Sequence, residues 1–256
     1  MLITNPFSEV SSTIPSIVLQ LFVIAMIVLV AAGTLFDIAH KKNMKYFFEN
    51  YKKAKNAATK KLGSAEVASI VTKTVASDIL TTAELGAGQR RAAHLLGMYG
   101  SIIFWASSAF MIFCYSSPDA NTPDIFPLMW HIGAIMTCLG GYWFWFFLRV
   151  DVSAEANPWH RIVRADLFVL SLLATATLGL IWSYLQSAGV LGWDKLFLVL
   201  FGLSNILLFG GVYWSKFAHM FYKPGAAIQK NLSEADGFRD DLPPPADKPK
   251  QFGLGI

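Results

Sequence analysis

The sequence predicts an all-α fold, an integral membrane bundle of five transmembrane helices, and three observations predict it. Of the 256 residues, 54% are hydrophobic and only 15% charged, against roughly 45–50% and about 25% in soluble domains. Five runs reach the length of about 20 apolar residues that a bilayer demands: Ile17–Ile38, Leu95–Tyr115, Leu128–Leu148, Leu167–Gln186 and Leu196–Phe217. Of the 21 Lys and Arg, all but Lys195 fall on one side of those runs.

The first run is expected to be a retained helix rather than a cleaved signal. No basic stretch precedes it, it is long, and His40, Lys41, Lys42 and Lys45 follow it as a stop-transfer block. Residues 39–93 form the largest connection. They carry 11 of the 21 Lys and Arg, the connection between the third and fourth runs carries 3, and the chain from Lys216 onward carries 6. The positive-inside rule then puts the N-terminus outside and the C-terminus in the cytoplasm, with four parts expected: 1–38, 39–93, 94–224 and 225–256.

Within the large connection, Lys41–Lys61 interleaves eight lysines with Tyr46, Phe47, Phe48 and Tyr51. That pattern suits a helix at an anionic membrane surface and equally a solvated basic loop. Ala65–Leu85 places Val67, Ile70, Val71, Val75 and Ile79 at helical spacing, ahead of a Gly86-Ala87-Gly88 stop. Its apolar stripe needs a cover, either the bundle or a partner. Beyond Pro224 the chain turns polar, and Pro243, Pro244, Pro245 and Pro249 mark a tail or a docking strap. Cys114 and Cys138 form no CxxC pair and no His/Cys cluster, so a Cys-ligated iron–sulfur cluster must belong to another chain. No nucleic-acid partner is expected.

The only ionisable side chains inside the five windows are Asp37, Lys216 and His131. His40, His94, His160 and His219 fall at the inner ends of spans or in inner loops, so chemistry is expected on one side. His94 opens the second span and His219 closes the fifth, which predicts equal depth. A b-type haem takes two neutral imidazoles from different helices, with cations near its propionates. Arg91 and Lys216 each precede one of these histidines by three residues, on the same helix face. Terminal histidines and basic residues that merely populate the interface would read the same way.

The stretch Trp214-Ser215-Lys216-Phe217-Ala218-His219-Met220-Phe221-Tyr222-Lys223-Pro224 resembles the end of the last helix in the gamma (cytochrome b) subunit of respiratory nitrate reductase and its relatives. Residues 164–173, Leu178-Gly179-Leu180 and Leu139-Gly140-Gly141 fit the same family, so the resemblance spans residues 90–225. It implies haem ligation by His94 and His219. Two-haem members carry a second ligand pair, ten residues after the first and 18 before the last. Those positions hold Phe104 and Phe201 here, which implies one haem b and two rings filling the space of the other. His131, lacking a histidine partner in the outer half, is expected to be a hydrogen-bonded or quinone-site residue.

Within that family the chain looks most like the membrane anchor subunit associated with dissimilatory adenylylsulfate reductase. The resemblance implies an electron-transfer subunit in a bacterial inner membrane, linking a cytoplasmic flavin/iron–sulfur oxidoreductase to diffusible quinone. Inner-face polar groups that could meet the quinone are Asp37, His40, Arg91 and His160. A haem-free anchor or assembly protein would keep the same helices. A small transporter would need charged or broken helices at midplane, which these windows lack.

Overall fold

The computed structural model describes residues 2–86, 88–150, 157–190, 192–215, 217 and 219–238, with the side chains of Asn43, Glu84 and His219 excepted. The described residues are helical and contain no strand. In chain order the α-helices are α1 Pro6–Val10, α2 Ser16–Lys41, α3 Asn43–Asn56, α4 Ser64–Thr74, α5 Gln89–Cys114, α6 Ile125–Trp143, α7 Leu167–Ser187, α8 Trp193–Gly210 and α9 His219–Ala235. Five of them, α2, α5, α6 with its π-helical extension Phe144–Leu148, α7 with the turn before it, and α8, are long and apolar enough to cross a membrane. This is a multi-pass membrane protein in architecture.

The chain divides into two compact units. The first comprises residues 1–41 and 82–220 and holds all five spans; the second comprises 42–81 and 221–256.

In the first unit α5 and α6 are antiparallel and meet backbone to backbone. A Cβ on Gly100 would lie 2.6 Å from the Thr137 amide nitrogen, one on Gly133 2.6 Å from that of Phe104, and one on Gly140 2.5 Å from the Ala93 carbonyl oxygen. Lipid supplies no hydrophobic drive between spans, so small residues that permit such approach hold them together. Above this contact lies a core of Phe104, Met111, Trp130, Trp182 and Phe201.

The short helix α1 closes that end. Asn5 caps it by accepting the Phe7 amide, and its side-chain amide donates to the Tyr115 carbonyl and the Thr122 hydroxyl. Pro6 follows at the first turn, where its missing N–H costs nothing. Phe7 is thereby pressed against Trp130 and Trp182, with centroids 6.0 and 5.5 Å away.

The fifth span differs from the sequence expectation. Its helix stops at Gly210, capped by Gly211, and residues 211–214 turn. His219 therefore does not close the fifth span but heads α9. The apolar residues Val212, Tyr213, Trp214 and Phe217 extended the run by composition alone; two successive glycines end the helix regardless.

The second unit joins two segments read from sequence as a separate loop and tail. Residues 225–235 are helical, and α9 continues through Pro224. Ala54 of α3 is buried. The Asp236 carbonyl accepts from the amides of both Thr59 and Lys60. Gly237 takes φ +80°, and a Cβ there would collide with the Thr59 hydroxyl. Asn231 donates to the Thr74 hydroxyl and the Asp78 carboxylate, each at 2.8 Å, tying α9 to the π-helical turn Val75–Leu80. The expected continuous helix over Ala65–Leu85 is thus broken into α4, this π turn and a 3₁₀ turn.

Two outcomes follow. Gly133→Ala should lower thermal stability in detergent by about 1–3 kcal/mol, as overpacking does, whereas Gly97→Ala, with nothing within 4 Å of its Cβ, should not. Hydrogen bonds from Asn231 and then Ser77 hold the Asp78 carboxyl below its usual range. A depressed carboxyl pKa stabilises above the unfolded value, about 3.9, and that contribution is lost as pH falls through the folded value. The protection of α9 amides relative to their intrinsic exchange should therefore fall below about pH 4, and Asn231→Ala should weaken that pH dependence.

Candidate functional site

Among the described residues, the buried charged side chains of the first unit lie at the end opposite α1. Ser16 donates to the Ser116 carbonyl, so the start of α2 lies beside the end of α5, and the end of α2 lies on the side where α5 begins. The Gly140 contact with Ala93 puts the end of α6 there too. Gly33 of α2 meets Val212, just past α8. His94, Asp37, His40, Arg149 and Tyr213 therefore share one end of the bundle.

Asp37 and His40, two of the polar groups read as facing quinone, are brought together. Asp37 is 1% exposed and pairs with Lys41 at 2.5 Å, one helical turn on. The Lys41 ammonium also donates to the Tyr213 carbonyl at 3.2 Å and lies 4.9 Å from the Tyr213 ring centroid. Phe36 stacks on His40 at 5.7 Å, and Tyr213 packs edge-on against both. A buried carboxylate thus sits behind three aromatic plates, with Phe36 and His40 open to the surroundings.

His94 lies in the second turn of α5 on an exposed position, with Arg91 three residues earlier. His94, Ser101 and Trp105 share a stripe at i, i+7 and i+11. Trp105 packs against Phe209 and Phe217 at 5.4 and 6.4 Å, and Phe217 meets Phe168 at 5.3 Å. Phe217, two residues before His219, is therefore laid against the α5 stripe that carries His94, at the level of Trp105, about 16 Å along the helix from His94. The Trp105 indole N–H is buried and has no acceptor among the described residues. Lys216 and the side chain of His219 lie outside the described residues.

His160 sits elsewhere at this end, exposed on the α6–α7 loop with its ring edge-on to Trp159 at 5.5 Å. That loop is organised by a residue the sequence reading passed over. Arg149, 1% exposed, donates to the carbonyls of Asn157, Pro158 and Arg161 and to the Asp166 carboxylate. Its guanidinium lies 4.3 Å from the Trp145 ring centroid. The π turn Phe144–Leu148 aims it, since the Arg149 amide bonds back to Phe144 rather than to Trp145. The signal was a basic residue directly after the apolar Phe144–Leu148 run, which reads as an ordinary span terminus.

His131 is fully buried near the α1 end. Its Nδ1 lies 2.7 Å from the Pro127 carbonyl oxygen and its Nε2 2.9 Å from the Ser183 hydroxyl. A carbonyl only accepts, so Nδ1 carries the hydrogen, and in the neutral ring Nε2 accepts from Ser183. Both nitrogens are engaged, so ligation of iron there would have to displace Ser183.

Phe104 and Phe201 meet edge to face at 6.3 Å, flanked by Trp130 at 5.0 Å and Trp182 at 5.5 Å. Gly179 makes the room, for a Cβ there would stand 3.1 Å from the Phe201 ring. Rings occupy the bundle interior at this level.

No protein-family model matches the chain, and no curated protein and no solved structure matches it either.

Removing one partner of a buried ion pair strands the other charge, at about 3–5 kcal/mol. Asp166→Ala should lower the unfolding temperature sharply and expose residues 157–164 to protease, while Asp194→Ala, on an exposed helix start, should do neither.

Proposed function

We propose that this chain is a membrane electron-transfer and anchor subunit carrying one b-type haem between His94 and His219. It would link a cytoplasmic flavin/iron–sulfur oxidoreductase of the adenylylsulfate reductase kind to the quinone pool of a bacterial inner membrane. The observation that carries the reading is one-sidedness: among the described residues the buried charged side chains of the bundle, Asp37 and Arg149, lie at one end, while aromatic rings and α1 close the other. The positive-inside rule makes the polar end cytoplasmic, where a soluble reductase delivers electrons.

Two histidines and two cations are available to a haem. Phe217, two residues before His219, packs on Trp105 of the helix that carries His94. Arg91 and Lys216, three residues before the two histidines, would supply cations for propionates. The group would supply one-electron carriage without an open coordination position. The protein's own part is to hold two neutral imidazoles and exclude water.

Quinone suits the Asp37, His40, Lys41 and Tyr213 cluster. Phe36, His40 and Tyr213 offer flat apolar surface at a span end, and a carboxylate paired to a lysine lies behind them to exchange protons with the solvent side. The partner enzyme fits the second unit, where ten lysines face five carboxylates within residues 42–81 and 221–238. A haem-free anchor is the competing reading.

Optical spectra of the detergent-purified protein decide between them. The expected result is a dithionite-reduced α band at one haem per chain, abolished in His94→Ala and in His219→Ala with membrane insertion unchanged. A colourless wild type after haem supplementation, or a full band in His219→Ala, would overturn the haem assignment.

A further inference from the structure

Among the described residues the second unit leaves one face of α3 uncovered. On α3 the covered side is Phe47 and Ala54. Gly225 of α9 lies against Phe47, and a Cβ there would be 3.8 Å from the ring. A different stripe, Met44, Phe48 and Tyr51 at i, i+4 and i+7, runs along the helix beside it. Phe48 is 58% exposed and Tyr51 41%. Lys45 and Lys52 border that stripe, Lys55 ends it, and all three are exposed. Tyr46 and Lys53 occupy the opposite side.

We infer that α3 is an in-plane helix that lies on anionic lipid, its Met44, Phe48 and Tyr51 stripe dipped into the headgroup region and Lys45, Lys52 and Lys55 set against the phosphates. Three features name the lipid surface rather than a protein as the occupant. The helix starts two residues after the first span ends at Lys41, with only the left-handed Lys42 (φ 55°) between them. At 3.8 Å per residue the chain itself keeps its start within about 8 Å of the bilayer surface. The stripe is narrow, aromatic and flanked by long basic side chains, the pattern of helices that lie at the interface with lysines snorkelling to phosphate. The charge has the right sign, because lysines near the cytoplasmic leaflet are attracted to its anionic lipids. The inference does not depend on the haem or on quinone.

The test is spin-label accessibility in the full-length protein reconstituted in nanodiscs, with Cys114→Ser and Cys138→Ser as background. Labels are placed singly at Phe48→Cys and Tyr51→Cys on the stripe and at Tyr46→Cys and Lys53→Cys opposite it. All four sites are exposed, so the labels do not disturb the core. In discs containing phosphatidylglycerol, labels 48 and 51 should collide more with oxygen than with a water-soluble nickel chelate, about 5–10 Å below the phosphates; labels 46 and 53 should show the reverse. The immersion should weaken in phosphatidylcholine alone and at 1 M salt, where the screening length falls to about 3 Å, and in the Lys45→Gln, Lys52→Gln, Lys55→Gln triple variant. Labels 48 and 51 as open to nickel as label 53 in both lipids would overturn the proposal. So would shielding that arises only when a soluble protein partner is added, which would assign the stripe to that partner.

Discussion

The structure depends on one constraint, the backbone approach of α5 to α6. In hydrocarbon the spans gain nothing from the hydrophobic effect on pairing, and what remains is close packing and polar contact. Gly100, Gly133 and Gly140 provide the first by letting each helix touch the other's main chain. They recur at seven-residue separation on α6, so the contact follows one face for two turns. Within the first unit the aromatic core takes its level from that pair. The Gly133 crossing fixes the height of Phe104, and Phe104 sets where Trp130 and Phe201 can stand.

Polar groups follow the same logic. A buried hydroxyl in a span must find an acceptor, and most return to their own helix: Thr137 to Gly133, Ser108 to Phe104, Ser204 to Phe201. These bonds leave lone pairs for contacts between helices, which Trp130 uses on Ser108 and Thr175 on Ser204. His131 with Ser183 belongs to this class. It bridges α6 and α7 as a neutral ring, and its two satisfied nitrogens make it part of the frame.

Much of this was legible. Five spans follow from length and composition, because the bilayer imposes a single long period that no tertiary contact can override. The one boundary misread, at Gly210, fell where aromatic residues continue past the helix end, and hydropathy cannot distinguish an apolar turn from an apolar helix. Phe104 and Phe201 were legible as large rings at facing positions. The Arg149 knot was not, since its four acceptors come from residues up to 17 positions away, three of them backbone carbonyls that no side-chain pattern announces. Nor was the union of 42–81 with 221–238, which rests on Asp236 and Asn231 bonding across more than 150 residues of chain. Asp37 and His40 were visible as a pair on α2; Tyr213, which completes the cluster, arrives only because the chain turns after Gly211.

The placement of charge argues for one working end independently of any cofactor. Burying an ion costs several kcal/mol unless it is paired and hydrogen-bonded, and a membrane protein meets that cost only where geometry supplies partners. Arg149 and Asp37 are both about 1% exposed, and both are neutralised within the same end of the bundle, by Asp166 and by Lys41. At the other end the buried polar residues are neutral: Asn5, Ser116, His131 and Ser183. An electron or a proton entering a low-dielectric interior needs compensating charge nearby. The end with two buried ion pairs can provide it, and the end lined by amides, hydroxyls and indoles cannot. The asymmetry therefore lies in the electrostatics of the folded bundle as well as in its topology.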